Sequence, residues 1–266
     1  MIFHSSFETI YLLLPIIGFI IGMFGTMLGG GGGFFFLPVL TLIIGAPPHV
    51  AVATSLAATL PICIIGSFGH YRKGNIELKT GGLFVATGII GAFMGAGITG
   101  LLTARQLKVS FGIYAVLIAF SMAYSTWKKK KAEQNGEGAS GNTSFKKITK
   151  GSVFGLSAGL IAGTFGTSGT APVIAGLFAM RLPLKLVIGT SLLVVLVNTL
   201  FAVSAHFLVG QIDLTLVWFL TAGSAIGALV GTRVLAKANV DRSENNIRYV
   251  YALVMVAIGV LMMINK

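Results

Sequence analysis

Leu184–Val209 reads LKLVIGTSLLVVLVNTLFAVSAHFLV, an apolar run whose one charge, Lys185, stands beside its start. At about 1.5 Å rise per residue, about twenty such residues cross the hydrocarbon core of a bilayer as an α-helix. A barrel strand would be about ten residues long and would alternate in polarity, and this stretch does neither. Outward from it, apolar segments recur at Ile10–Leu28, Phe34–Ile44, Val50–Gly69, Gly81–Thr103 and Val109–Trp127, then at Gly151–Phe165, Thr170–Met180, Leu214–Leu235 and Ile247–Ile264. The chain of 266 residues is 55% hydrophobic and 10% charged, where a soluble domain carries roughly 25% charged residues; its mean hydropathy is +0.91. These values exclude a soluble globular fold. They predict an all-α, multi-spanning membrane protein of eight to ten helical segments.

The formal net charge of +12 is concentrated in a few loops, above all in the segment 128–150 with Lys128–Lys131, Lys146, Lys147 and Lys150. Lysine and arginine are retained on the cytoplasmic side, so this segment reads as a cytoplasmic linker. A nucleic-acid binder would carry its basic residues on a folded face instead. The single cysteine, Cys63, excludes an intrachain disulfide and a cysteine metal cage, and inside an apolar run it reads as a small packed residue. Met1–Ile10 lacks the basic start of a signal peptide and leads into a long apolar run, so cleavage is not expected.

The two sides of the linker repeat each other. At an offset of 136, His70 matches His206, Gly74 matches Gly210, Thr54-Ser55-Leu56 matches Thr190-Ser191-Leu192, and Gly91 and Gly95 match Gly227 and Gly231. His70-Tyr-Arg-Lys-Gly74-Asn-Ile-Glu-Leu78 parallels His206-Phe-Leu-Val-Gly210-Gln-Ile-Asp-Leu214. Upstream the offset is 134, joining Gly25, Gly29, Gly32 and Pro38 to Gly159, Gly163, Gly166 and Pro172. The chain therefore divides into repeat one (1–127), the linker (128–150) and repeat two (151–266), each repeat holding a broken short-helix pair and three full spans. Loop charge sets their relation: Arg72, Lys73 and Lys79 have no basic counterpart in 209–214, whereas Arg181 and Lys185 answer a loop, 46–49, without Lys or Arg. Opposite bias in equivalent loops favours inverted repeats. Arg105 and Lys108 argue the other way, and eight simple spans in parallel repeats are the alternative.

Paired broken helices in inverted repeats are how secondary transporters build a site near the midplane. The first break is Gly29-Gly30-Gly31-Gly32-Gly33; each glycine costs a helix about 1 kcal/mol relative to alanine, so five together read as a loop with N–H groups aimed at a ligand. The second, Gly163-Thr164-Phe165-Gly166-Thr167-Ser168-Gly169-Thr170, supplies hydroxyls instead. Thr54, Ser55, Thr190 and Ser191 either line the cavity or bond back to their own helices. His70 and His206 cap span ends or act as a proton-responsive gate. Gly91, Gly95, Gly227 and Gly231 read as close helix packing, and Asn198 as a bond across helices. All seven acidic residues fall in loops or termini, and a desolvated cation needs an intramembrane counter-charge, so the expected cargo is a small anion. No cofactor, metal site or nucleic-acid partner is expected, and the oligomeric state is open. Gly166-Thr-Ser168-Gly169 resembles the serine motif of rhomboid proteases, with His206 downstream, but the duplicate carries Phe34 at the serine position. The chain is not expected to be an enzyme.

Gly25-Thr-Met-Leu-Gly29-Gly-Gly-Gly-Gly33, Pro38, Pro47-Pro48-His49-Val-Ala-Val-Ala-Thr54-Ser55-Leu56 and His70-Tyr-Arg-Lys-Gly74-Asn-Ile together resemble the TauE/SafE sulfite-exporter-like permeases, and the likeness runs from Gly18 to Asn265. The resemblance implies a permease in the plasma (inner) membrane of a prokaryote, moving sulfite, sulfoacetate or a related organosulfonate. Repeat two departs from the glycine-rich pattern at Gly166-Thr-Ser-Gly-Thr-Ala-Pro172. A cation or metal exporter and a membrane assembly subunit that carries nothing are the other classes.

Overall fold

The computed structural model describes residues 2–135, 144–237 and 244–264. Ten α-helices fill them: α1 (Leu14–Met27), α2 (Gly33–Pro38), α3 (Pro48–Tyr71), α4 (Leu78–Leu101), α5 (Ala104–Asn135), α6 (Ser144–Phe165), α7 (Thr170–Ala179), α8 (Leu184–Val209), α9 (Leu214–Lys237) and α10 (Glu244–Ile264). Among the described residues six helices are long and apolar enough to cross a membrane. Four of these lie in the first half, because a 3-10 turn, Thr9–Leu13, lengthens α1 at its start. A π-helical turn, Val39–Ile43, prolongs the short α2 past Pro38.

The basic segment 128–150 is partly helical. α5 runs on through Asn135 and α6 begins at Ser144, since Lys, Ala, Glu and Gln are good helix formers. Residues 136–143, and the side chains of the seven lysines, lie outside the described residues.

Glycine stripes fix the outer helix pairs. α1 and α9 run parallel, with Gly18 and Gly22 against the backbone of Leu220 and Ser224, and Gly223, Gly227 and Gly231 against Pro15, Phe19 and Met23. α4 and α6 do the same, with Gly91 and Gly95 against Leu156 and Leu160, and Gly155, Gly159 and Gly163 against Phe84, Gly88 and Ala92. A Cβ at most of these positions would collide with a carbonyl oxygen of the facing helix. The stripes thus let backbones touch where lipid supplies no hydrophobic drive to associate.

α3 and α8 form the middle and run antiparallel. The backbone N–H of Asp213, just past α8, donates to Thr54 Oγ1 near the start of α3 at 3.1 Å. At the other end the N–H of Glu77, just past α3, donates to Thr190 Oγ1 near the start of α8 at 2.9 Å. These are matching residues at the 136 offset, each hydroxyl holding a loop from the other half of the chain.

Two features of the helix ends depart from the sequence reading. Asp213 belongs to a loop but is buried, accepting from the N–H groups of Ser5, Thr215 and Leu216. Beside it Ile2–Phe3 pairs in parallel with Ile212–Asp213 as a two-residue ladder. Elsewhere the outward faces are as apolar as the core: Leu101 is 85% and Leu208 80% exposed, as a lipid-facing surface requires.

Candidate functional site

The two breaks lie far apart in sequence and meet in the middle of the molecule. Gly29, Gly31 and Gly32 have φ of +75°, +61° and +75°, left-handed values that only glycine takes at no steric cost. They let the chain turn sharply at the end of α1, where the N–H groups of Gly30 and Gly31 donate to Gly25 O at 2.7 and 3.2 Å, before α2 starts at Gly33. The turn is level with Thr59 and Cys63 of α3 and with Val195 of α8, whose side chains would meet a Cβ at Gly31. Each of these stands in the middle third of its helix.

The second break turns at Gly166 and Gly169, with φ of +67° and +57°, and α7 starts at Thr170. Its hydroxyls reach the first break directly: Ser168 Oγ donates to Gly30 O at 2.7 Å and Thr170 Oγ1 to the same oxygen at 2.8 Å. The central helices add a crossed pair of contacts. Ser191 Oγ donates to Gly29 O at 2.7 Å and Ser55 Oγ to Gly166 O at 3.0 Å, while each also bonds the carbonyl three residues back in its own helix. Bonding back to the own helix thus holds for the two serines and not for the two threonines. The serines reach the breaks and bond their own helices, while Thr54 and Thr190 hold the end loops.

The hydroxyls expected to greet a ligand are thus spent, in this arrangement, on the carbonyls of the breaks. Thr167 is the exception: its Oγ1 is buried at the junction without a partner. Thr164 lies off the junction, in the α4–α6 seam, where it donates to Leu160 O at 2.8 Å. Gly33 packs against Ser168 and Thr59, and Gly169 against the Ala158 carbonyl. Among the described residues no Asp or Glu enters the junction; Glu77 and Asp213 stand at the ends of α3 and α8. Among the described residues no three His, Cys, Asp or Glu side chains gather as a metal site.

The matched histidines differ. His206 Nε2–H donates to Gly163 O at 2.6 Å, an oxygen that Thr99 also reaches at 3.1 Å. His70 is buried with Nδ1 unpartnered. Ser168 and His206 serve different carbonyls, so the protease-like motif forms no dyad. Asn198 corrects the sequence reading: it abuts Gly88 of α4, yet neither end of its amide finds a partner.

The family described as sulfite exporter TauE/SafE matches residues 14–262, nearly the whole of this architecture. The chain belongs to the TauE/SafE family. It is 29% identical over 225 residues to the probable membrane transporter protein YdhB of Bacillus subtilis, covering 84% of this chain and 89% of that protein. It is 27% identical over 284 residues to the probable membrane transporter protein MJ0441 of Methanocaldococcus jannaschii, covering 99% and 100%. A probable membrane transporter protein of Xylella fastidiosa is 27% identical over 260 residues, covering 92% and 90%. No solved structure matches. This TauE/SafE protein is accordingly a multi-pass membrane transporter and not an enzyme.

Sequence reasoning overlooked Thr59 and Cys63 as neighbours of the glycine turn. Thr59 stands four residues after Ser55 and Cys63 four after Thr59, so a helical face drawn through Ser55 would have found both.

Proposed function

We propose that this TauE/SafE protein is a secondary transporter for a small sulfur-containing anion such as sulfite, sulfoacetate or a related organosulfonate. The observation that carries the proposal is the meeting of the two breaks at mid-depth, where Ser168 and Thr170 share Gly30 O. Separating the breaks frees the hydroxyls of Ser168 and Thr170 to donate to an anion's oxygens, and among the described residues no carboxylate stands there to repel it. The helix starts at Gly33 and Thr170 add the positive ends of their dipoles. Gly29–Gly33 would hold oxygens through the backbone, and Thr167, Ser168 and Thr170 through hydroxyls, with Ser55 and Ser191 flanking. Thr164, Thr54 and Thr190 support this arrangement from the helix seams and ends.

The halves are read as inverted repeats. The antiparallel run of α3 and α8, whose residues match at the 136 offset, supports that relation. Arg72, Lys73 and Lys79 then share a face with Arg181 and Lys185, because Glu77 sits beside Thr190. The same face receives the start of α6, where Gly151 adjoins Met180. Basic residues concentrate on the cytoplasmic side, which supports reading the segment 128–150 as a cytoplasmic linker of a prokaryotic inner-membrane protein.

The test is thermal unfolding in detergent across sulfite, sulfate, thiosulfate, sulfoacetate, chloride, nickel and cobalt at constant ionic strength. An anion at about a hundred times its Kd stabilises by roughly 2.7 kcal/mol. Gly32→Val and Gly166→Val, at left-handed positions where a Cβ would meet Ile21 and Val52, should abolish sulfite flux in vesicles while membrane insertion persists. Unchanged flux in both, or stabilisation by metals alone, refutes the proposal.

A further inference from the structure

From the glycine turn towards the basic face, α3 carries Thr59, Cys63, Ser67 and His70, spaced to lie on one side of the helix. All four are buried. The inner end of this stripe faces the turn, since Thr59 and Cys63 would meet a Cβ at Gly31. The outer end faces α8, since His70 adjoins Gly189. Between them Leu192 of α8 fills the seam against Gly66. Polar side chains in membrane helices ordinarily bond a carbonyl of their own helix, and Thr59 does so, donating to Ser55 O at 2.7 Å. Ser67 Oγ and His70 Nδ1 instead have no partner at 95% burial, and groups so placed are rare unless water or a ligand visits them. The matching positions on α8 are Val195, Thr199, Val203 and His206. Two are valines, and His206 is engaged by Gly163 O. Thr199 Oγ1 is buried without a partner as well, so α8 keeps one unsatisfied group along this line where α3 has two.

Resting on the reading of the breaks as the substrate site, we infer that the α3–α8 seam lined by Thr59, Cys63, Ser67 and His70 is the passage by which the anion moves between the glycine turn and the face bearing Arg72 and Lys73. The hydrogen bond from Glu77 to Thr190 Oγ1 closes its outer end, and Leu192 plugs it within. The five exposed basic residues around the mouth (Arg72, Lys73, Lys79, Arg181 and Lys185) draw anions to it.

The experiment uses the full chain in right-side-out and everted vesicles, with Ser67→Cys or His70→Cys placed in a Cys63→Ser background. The probe is the anionic thiol reagent 2-sulfonatoethyl methanethiosulfonate, with sulfite flux measured on the same vesicles. Both cysteines should react at least tenfold faster from the face bearing Arg72 than from the opposite face. Adding Thr190→Val, which removes the hydroxyl acceptor, should speed that reaction severalfold, and Thr190→Ser should restore the original rate. Equal rates from both faces, faster reaction from the opposite face, or no reaction in a variant that still moves sulfite overturns the inference. Face-selective reaction without sulfite flux in the wild type supports the passage and refutes the cargo. Flux lost in Gly32→Val alongside unreactive Ser67→Cys supports the cargo and refutes the passage.

Discussion

Gly30 O accepts from both Ser168 Oγ and Thr170 Oγ1, at 2.7 and 2.8 Å, and the two hydroxyls stand 3.1 Å apart. Removing one leaves the carbonyl satisfied by the other. Ser168→Ala or Thr170→Val alone should therefore cost about 0.5–1 kcal/mol, the net worth of one hydrogen bond. Removing both strands the carbonyl at the junction, and an unsatisfied buried acceptor adds about 1–3 kcal/mol. The double variant should then lose about 2–5 kcal/mol, leaving a coupling of about 1–3 kcal/mol beyond the sum of the singles. At about 2–4 °C per kcal/mol for a chain of this size, each single should lower Tm by a few degrees and the pair by about 4–20 °C. Unfolding in detergent, followed by intrinsic fluorescence at fixed ionic strength, measures it. Independent sites add to within about 0.5 kcal/mol. Additivity at that level would show that the breaks are not fastened through a shared oxygen.

Three further outcomes follow from single contacts. Gly159→Ala puts a Cβ into the Gly88 carbonyl and should cost about 1–3 kcal/mol as overpacking; Gly97→Ala, with nothing within 4 Å, should leave Tm unchanged or raise it. Glu77 caps α4 through the N–H of Thr80. Burial alone would raise its pKa, but hydrogen bonds from Thr80 and Lys79 and the charge of Lys79 hold it below its ordinary value. A depressed carboxylate pKa stabilises above the unfolded value and is lost as pH falls through the folded one. The Tm gap between wild type and Glu77→Gln should thus be widest near pH 7 and close below about pH 4; a gap that widens in acid refutes the assignment. Asp213→Ala removes the acceptor for Ser5, Thr215 and Leu216 and should cost about 1 kcal/mol as a lost cap, with faster amide exchange at residues 2–5.

The spans were legible because length and apolarity suffice to specify a membrane helix, as in Leu184–Val209. The breaks were legible because five glycines have no helical explanation. The family likeness read from Gly25–Gly33 and its companions agrees with the match over residues 14–262. What the hydroxyls bond to was not legible. Ser168 and Gly30 are far apart in the chain, and no local rule tells that a serine will fasten two loops instead of waiting for a ligand. Ile2–Phe3 escaped notice because two residues carry no periodicity. The helical extension of α5 was hidden by reading apolarity alone, when the lysines after Trp127 continue a helix without entering lipid. Asn198 failed in the other direction, since a polar residue inside a span invites a partner that Gly88 does not supply.

The parallel glycine seams have a consequence for how the chain is made. α1 seals against α9 and α4 against α6, so neither outer helix of the first half finds its mate within that half. When residues 1–135 have left the ribosome, α1 and α4 stand in the bilayer with their notched faces turned to lipid. They wait for segments not yet synthesised, and insertion comes before assembly. A cut within residues 136–143 would therefore yield two pieces that each insert but remain short-lived alone. Co-expressed, they would be rescued by one another.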